Sequence, residues 1–164
     1  MMTMIRPLEI ATPSDLEVVI TRDFDAPREL VFDCHVKPDL VRRWLTGPPG
    51  WTMPVCDIDL RVGGRYRYVW RGPNGEDMGM GGVFREIVRP ERIVTNELFD
   101  EDWTGGETLV TTVFTEGGGR TRATLTVLYA SKEAREGALA TGMADGMESS
   151  FQHLDALLAS PPAN

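Results

Sequence analysis

Residues 132–159 carry the hydrophobic pattern of one amphipathic helix. When successive residues are stepped by 100° from Met143, eight side chains fall within about 120° of one another. They are Leu139, Met143, Met147, Ser150, Phe151, Leu154, Leu157 and Leu158. The polar side chains fall on the far side: Asp145, Glu148, Gln152 and Asp155. Ser131 can cap the start and Pro161 stops the helix soon after residue 159, so the pattern predicts a single long helix with one apolar stripe.

Three glycines interrupt this predicted helix at Gly137, Gly142 and Gly146. Each costs about 1 kcal/mol relative to alanine inside a helix. Two explanations fit them: another segment approaches the helix backbone closely, or the helix is not packed to maximum density.

Upstream of the helix, apolar positions alternate with a period of two, which is typical of strands. The alternation is clearest over residues 65–71, where Tyr66, Tyr68 and Trp70 share one face and three arginines the other. Further strands are predicted over residues 16–25, 53–61, 78–88, 92–99, 107–115 and 120–129, and short helices over residues 28–36 and from Pro38. Short turns between neighbouring strands favour antiparallel pairing. The predicted fold class is therefore α+β, with a curved antiparallel sheet of six to seven strands, two short helices after the first strand, and the long C-terminal helix.

The chain of 164 residues fits one domain. We expect a loose N-terminal leader over residues 1–15, the domain over residues 16–159, and a short tail over residues 160–164. The net charge of −8 disfavours nucleic acid and anionic membranes as partners. No apolar run approaches the ~18 residues of a membrane span, so membrane insertion is not expected either.

The two cysteines and two histidines lack the spacing of a metal site. We therefore expect no metal and no cofactor. We also expect a cytoplasmic protein with reduced thiols, although the sequence is compatible with one disulfide between the two cysteines. His35 and His153 stand in no catalytic arrangement, so no catalytic residue is assigned.

Six stretches of the sequence together resemble a known family. They are FDAPRELVF at residues 24–32, RWL at 43–45, PPGW at 48–51, DIDLRVGGRY at 57–66, GMADGM at 142–147 and LDALL at 154–158. This series resembles the START-like helix-grip superfamily, also called SRPBCC, and within it the activator-of-Hsp90-ATPase-homologue-1-like branch. Many members of that branch have Trp where this chain has Met147.

The resemblance implies a helix-grip fold, in which the curved sheet grips the long helix and a cavity between them often takes an apolar small molecule. The residues expected to line that cavity are Trp51, Tyr66, Tyr68, Trp70, Met80, Phe84, Glu97, Phe99, Met143, Met147 and Phe151. The aromatic row and the methionines also fit an ordinary core. Glu97 faces either inward, as a polar anchor or general base with a raised pKa, or outward into solvent. Two loop tryptophans, Trp51 and Trp103, either close the cavity mouth or cover core, and a lid role is favoured for Trp51.

The favoured functional hypothesis is a domain that binds an apolar or aromatic small molecule. One alternative is a cyclase- or hydrolase-type enzyme that uses Glu97 or a tyrosine hydroxyl in the same cavity. Another is a module that interacts with an Hsp90-type chaperone, which the branch name implies. Self-association into a homodimer is compatible with all three.

Overall fold

A computed structural model describes residues 6–101 and 106–160. Within these residues the chain forms one antiparallel sheet of eight strands and four helices. The strands are β1 (Glu9–Ala11), β2 (Glu17–Phe24), β3 (Thr52–Ile58), β4 (Arg65–Arg71), β5 (Asp77–Val88), β6 (Arg92–Phe99), β7 (Thr108–Gly117) and β8 (Arg120–Leu128). The helices are α1 (Arg28–Val36), α2 (Pro38–Trp44), α3 (Lys132–Ala140) and α4 (Met143–Ala159). The strand order across the sheet is β1-β2-β8-β7-β6-β5-β4-β3.

This architecture confirms the α+β helix-grip prediction, and the sheet has eight strands rather than six to seven. The additional strand lies in the expected leader, which is therefore not wholly loose. Residues 9–11 pair with Val19 to Thr21 along the open edge of β2. All three residues of β1 are exposed, so no alternation in the sequence marks this strand, and its short length suits a sheet edge.

One face of the sheet carries the core and packs against the helices. Every second residue of β2 is buried, ending at Phe24, whose ring meets that of Phe151 on α4 at a centroid distance of 5.4 Å. Phe32 of α1 meets Phe114 of β7 in the same edge-to-face manner at 5.8 Å. Because α1 and α4 both pack on this face, we call it the inner face of the sheet.

The predicted long helix is interrupted, and this corrects the prediction of a single helix over residues 132–159. α3 begins with Ser131, whose hydroxyl accepts a hydrogen bond from the backbone N–H of Ala134 at 3.0 Å, as the sequence predicted. The break lies between α3 and α4, where Gly142 has a φ of 80°. This left-handed conformation is readily adopted by glycine and disfavoured for other residues.

The other two helix glycines do not mark a close approach of another segment. A Cβ atom added at Gly137 or Gly146 would have no heavy atom within 4 Å. Of the two explanations, the structure supports a helix that is not packed to maximum density.

The polar side of α4 is only partly exposed: Asp145 and Gln152 are exposed, whereas Glu148 and Asp155 bind a buried cation. Arg22 of β2 is only 2% exposed on the inner face, and its guanidinium binds two carboxylates of α4. Its Nη2 atom lies 3.0 Å from Oε2 of Glu148 and 2.7 Å from Oδ2 of Asp155. Glu148 also accepts a hydrogen bond from the backbone N–H of Leu8 at 2.8 Å. Burial by itself would raise the pKa of Glu148, but these hydrogen bonds, led by those from Arg22, hold it below its ordinary value.

Both cysteines, Cys34 and Cys56, are buried and free, and burial raises the pKa of each thiol to about 11.

No helix in the described part of the chain combines the length and the apolar composition needed to cross a membrane.

We predict that Arg22→Ala lowers the free energy of unfolding by about 3–5 kcal/mol, because it leaves two partly buried carboxylates without their cation. Arg122→Ala is the matched control, since Arg122 forms an exposed ion pair with Asp23 at 2.8 Å and such pairs contribute about 0–1 kcal/mol. Urea denaturation at neutral pH measures both. Equal losses in the two variants would show that the Arg22 cluster does not anchor α4.

Candidate binding cavity

A cavity of about 630 Å³ lies between the inner face and the helices. Its floor is formed by β4 to β8, one wall by α1, α2 and the loop after α2, and its roof by the first half of α4. All the residues expected from the sequence contribute to its lining: Trp51, Tyr66, Tyr68, Trp70, Met80, Phe84, Glu97, Phe99, Met143, Met147 and Phe151. The structure brings them together, and their contact with a ligand stays a prediction.

The aromatic row of β4 belongs both to the core and to the cavity. Tyr66, Tyr68 and Trp70 are each 8% exposed or less. The Tyr66 hydroxyl donates to the backbone oxygen of Asn96 at 3.0 Å, and Nε1 of Trp70 donates to the backbone oxygen of Leu45 at 2.7 Å. Within the described residues the Tyr68 hydroxyl has no hydrogen-bond partner. It is therefore a donor available to a molecule in the cavity.

A row of polar side chains crosses the cavity floor next to these rings. Strand register places Tyr66 opposite Gly82, Gly82 opposite Glu97, and Glu97 opposite Thr108. The pairing of β7 with β8 then brings Tyr129, which follows β8, opposite Thr108. Residues opposite each other across strands point to the same side of a sheet. The hydroxyls and the carboxylate of the row therefore lie on the inner face, and all four polar residues line the cavity.

Gly82 is the position in this row where a side chain would not fit. A Cβ atom there would overlap the backbone oxygen of Asn96 and would lie 2.6 Å from the hydroxyl oxygen of Tyr66. The missing side chain allows the Tyr66 ring to reach across β5 toward β6.

Glu97 carries the carboxylate of this row and faces inward, which resolves the alternative left open by the sequence. Burial raises its pKa from 4.5 to about 7. No group among residues 6–101 and 106–160 donates a hydrogen bond to it. Its charge also affects the neighbouring phenols. The pKa of Tyr129 is raised to about 12, mainly by burial and to a smaller extent by the charge of Glu97. The pKa values of Tyr66 and Tyr68 are also raised, mainly by burial, so all three phenols stay protonated near neutral pH.

His35 also lines the cavity, although no role there was predicted for it. Its Nδ1 donates to the backbone oxygen of Val31 at 2.7 Å, and its Nε2 has no partner among the described residues. Its ring lies 4.9 Å from the ring of Trp44 and 5.0 Å from that of Phe114. Burial lowers its pKa to about 4, so the imidazole is neutral at physiological pH.

The mouth of the cavity is marked by those lining residues that are exposed to solvent. They are Pro48, Met78, Glu101, Thr141 and Gly142. The loop after α2 forms one side of the mouth and is tied to α4 at Gly47. The backbone N–H of Gly47 donates to the hydroxyl of Ser150 at 3.0 Å, and its oxygen accepts from the hydroxyl of Ser149 at 3.2 Å.

Of the two loop tryptophans, Trp51 is partly buried in this same loop, and its role as a lid stays a prediction. Trp103 lies outside the described residues.

Thr108, Tyr129 and His35 are among the polar lining residues that sequence reasoning missed. For Thr108 and Tyr129 a signal was present, because counting back from the glycine turn between β7 and β8 places them opposite each other. For His35 no local pattern distinguishes a cavity wall from the end of a surface helix.

In the described part of the chain, no group of three or more His, Cys, Asp or Glu side chains is arranged to hold a metal ion.

Comparison with known proteins identifies relatives of this chain. A family model described as "Activator of Hsp90 ATPase homolog 1-like protein" matches residues 25–159. No curated protein is significantly similar to the sequence.

Among solved structures, the fold is similar to that of a Rhodobacter sphaeroides protein with 36% sequence identity and a TM-score of 0.89, covering 94% of this chain and 99% of that one. Protein Ms6760 from Mycobacterium smegmatis has 29% identity and a TM-score of 0.83, covering 96% and 100%. An HSP90 activator from Plasmodium falciparum has 24% identity and a TM-score of 0.65, covering 89% and 98%, and shares the fold.

We predict that the carboxyl group of Glu97 titrates with a pKa of about 7 rather than 4.5 in the folded protein. Because the folded state then binds a proton more tightly than the unfolded state, the charge of Glu97 destabilises the fold as pH rises from about 4.5 through about 7. Glu97→Gln should therefore be more stable than the parent by on the order of 2 kcal/mol near pH 8, and this gain should vanish near pH 4.5.

Carbon-13 NMR of the glutamate carboxyls and urea denaturation across this range measure the two effects. The signal that titrates near pH 7 should be absent in Glu97→Gln. An ordinary pKa for Glu97, or a pH-independent difference in stability, would contradict the inward, desolvated placement.

Proposed function

The chain belongs to the family of activator of Hsp90 ATPase homolog 1-like proteins, and we propose that it binds an apolar or aromatic small molecule between the sheet and α4. The observation that carries this proposal is the cavity of about 630 Å³. Small-molecule sites in proteins are typically mostly apolar, have volumes of about 300–1,000 Å³, and contain a few convergent polar groups. Here the polar groups include the row across the floor and the imidazole of His35.

The shape of the lining supports a flat or ring-containing ligand. The rings of Tyr66 and Tyr68 lie 5.2 Å apart, and those of Tyr68 and Trp70 lie 5.8 Å apart. Met80, Met143 and Met147 face these rings across the cavity or beside them. Thioether side chains adapt to the outline of a ligand and make favourable contacts with aromatic rings.

The driving force would come mainly from burying apolar surface. A bicyclic aromatic ligand that buries about 300 Å² of its own apolar surface gains on the order of 7 kcal/mol at about 25 cal/mol per Å². A gain of this size alone corresponds to a Kd of about 10 μM, and loss of translational and rotational freedom offsets part of it, so affinities between about 10 μM and about 1 mM are expected for a ligand of that size.

A pair of glycines in the C-terminal helices provides a matched test of the cavity. Both Gly146 and Gly137 can accept a Cβ atom without overlap, but only Gly146 lines the cavity. We predict that Gly146→Phe weakens binding of the neutral fluorescent probe N-phenyl-1-naphthylamine by about tenfold or more, because the new ring fills the space that the probe needs. Gly137→Phe should leave the affinity unchanged.

Fluorescence titration of the probe measures both affinities, and circular dichroism confirms that each variant is folded. Native mass spectrometry of the freshly purified protein tests the same proposal without a probe. Failure of the parent protein to bind the probe, or equal affinities in the two glycine variants, would contradict binding in this cavity.

A second candidate function is stimulation of an Hsp90-type chaperone. The family name and the Plasmodium falciparum neighbour favour it. The outer face of the sheet also exposes two large apolar side chains, Leu98 at 50% and Leu128 at 39%. Exposed apolar side chains of this kind can contribute to a protein interface.

In this second role we expect the protein to raise the ATPase rate of a purified Hsp90-type chaperone. Leu98→Asp should reduce the stimulation and Gly146→Phe should not, because the outer face and not the cavity would contact the chaperone. An ATPase rate unchanged by the addition of the parent protein would eliminate this function.

A further inference from the structure

The charged side chains among the described lining residues are all of one sign. Glu97 on the floor and Glu101 at the mouth are carboxylates, and no Lys or Arg occurs among the described residues of the lining. The arginine nearest the core, Arg22, is bound to Glu148 and Asp155 and does not line the cavity. An anionic ligand would therefore be buried without a counter-charge, which is strongly unfavourable in an apolar site.

The carboxylate of Glu97 is also able to accept hydrogen bonds from a ligand. No described group donates a hydrogen bond to its carboxylate, and the phenols beside it are neutral. A carboxylate in its ionised form accepts hydrogen bonds only, and its strongest partner is a cationic N–H donor.

The aromatic row provides a second attraction for the same kind of group. The planes of Tyr66 and Tyr68 are inclined by 45°, and those of Tyr68 and Trp70 by 71°. Rings set at such angles surround a space instead of stacking flat on one another. A cation within about 6 Å of ring faces is stabilised by their negative electrostatic potential, more so where water is displaced.

We infer that the cavity selects ligands that combine an apolar or aromatic body with a protonated amine, with the amine bound by Glu97 and the body packed against the β4 rings. This inference rests on the proposed function, since it names the ligand class of the same cavity. It distinguishes this chain from a carrier of fatty acids or other carboxylates, for which the cavity provides no cation.

The inferred pairing makes binding depend on pH. The titratable groups next to Glu97 are Tyr66 and Tyr68 from β4 and Tyr129 after β8. His35 from α1 lines the same cavity, and Glu101 and Glu107 stand at the two ends of the β6–β7 connection. The phenols stay protonated and the imidazole stays neutral between pH 5.5 and 7.5, since their pKa values lie at about 12 or above and at about 4. Across that range Glu97 changes from mostly protonated to mostly ionised. Amine affinity should accordingly rise with pH.

Three probes with the same aromatic body test this inference: naphthalen-1-ylmethylamine, naphthalen-1-ylmethanol and naphthalene-1-acetate. Between pH 5.5 and 7.5 the first stays cationic, the second neutral and the third anionic. At about pH 7.5 we expect the amine to bind on the order of tenfold or more tightly than the acetate. Amine affinity should fall on the order of tenfold or more between about pH 7.5 and about pH 5.5, whereas affinity for the alcohol should change little.

Glu97→Gln should remove both the amine preference and its pH dependence, while affinity for the alcohol stays within about threefold. Glu86→Gln is the matched control, because Glu86 is an exposed glutamate on β5 that pairs with Arg92 at 3.2 Å and lies outside the cavity lining. Isothermal titration calorimetry measures all affinities. The comparison of amine with acetate uses the unmodified chain, so it stands even if the Glu97 variant does not fold.

The outcomes separate the inference from the function on which it rests. If the alcohol binds but the amine is not preferred over the acetate, the inference is wrong and the proposed function stands. The inference is also wrong if Glu101→Gln removes the preference and Glu97→Gln does not. If none of the three probes binds, the proposed function fails and the inference with it.

Discussion

The arrangement of sheet and helix depends on one buried cation, Arg22, and its two carboxylate partners on α4. Glu148 and Asp155 are seven residues apart, so they lie two turns apart on the same side of the helix. A guanidinium that binds both carboxylates prevents the helix from sliding along its axis and from rotating about it. An apolar contact does not restrict both motions. Leaving either carboxylate or the guanidinium unpaired in this buried place is costly, so alternative positions of α4 over the sheet are disfavoured.

This anchor explains why the two halves of α4 serve different purposes. Leu154 and Leu158 lie in its second half, are 8% exposed or less, and do not line the cavity. The first half carries Met143, Gly146 and Met147 over open space. A helix held only by its apolar stripe would be expected to settle toward the sheet and close that space, since apolar burial is favourable. The ion cluster and the ties to Gly47 hold the helix in place, and the cavity is the volume that remains.

The sequence predicted the fold where local pattern and tertiary structure agree. The bounds of β4 and β6 match the predicted strands because alternation and strong turn residues mark both ends. Prediction failed at Gly142, because a glycine inside a helical pattern looks the same whether the helix tolerates it or breaks there. The buried partner of Glu148 and Asp155 was not predicted, because a helical projection shows the stripe and not what else packs nearby. The informative signal was in β2, where Arg22 occupies an inward position of the alternation and therefore requires an anion.

Glu97 shows why the candidate site could be predicted only in part. The register with β7 places it opposite Thr108 on the inner face, and a shift of register in β5 between Phe84 and Glu86 decides which β5 and β4 side chains join it there. Without this bulge the pairing near the β5–β6 turn would continue and would place Val83, and with it Arg65, next to Glu97 in place of Gly82 and Tyr66. With it, the carboxylate lies beside the aromatic row of β4 in an apolar cavity, and its ionisation would be linked to any ligand bound there. A cationic ligand would favour the ionised form over the protonated acid, so binding of such a ligand and loss of the proton are coupled at this residue.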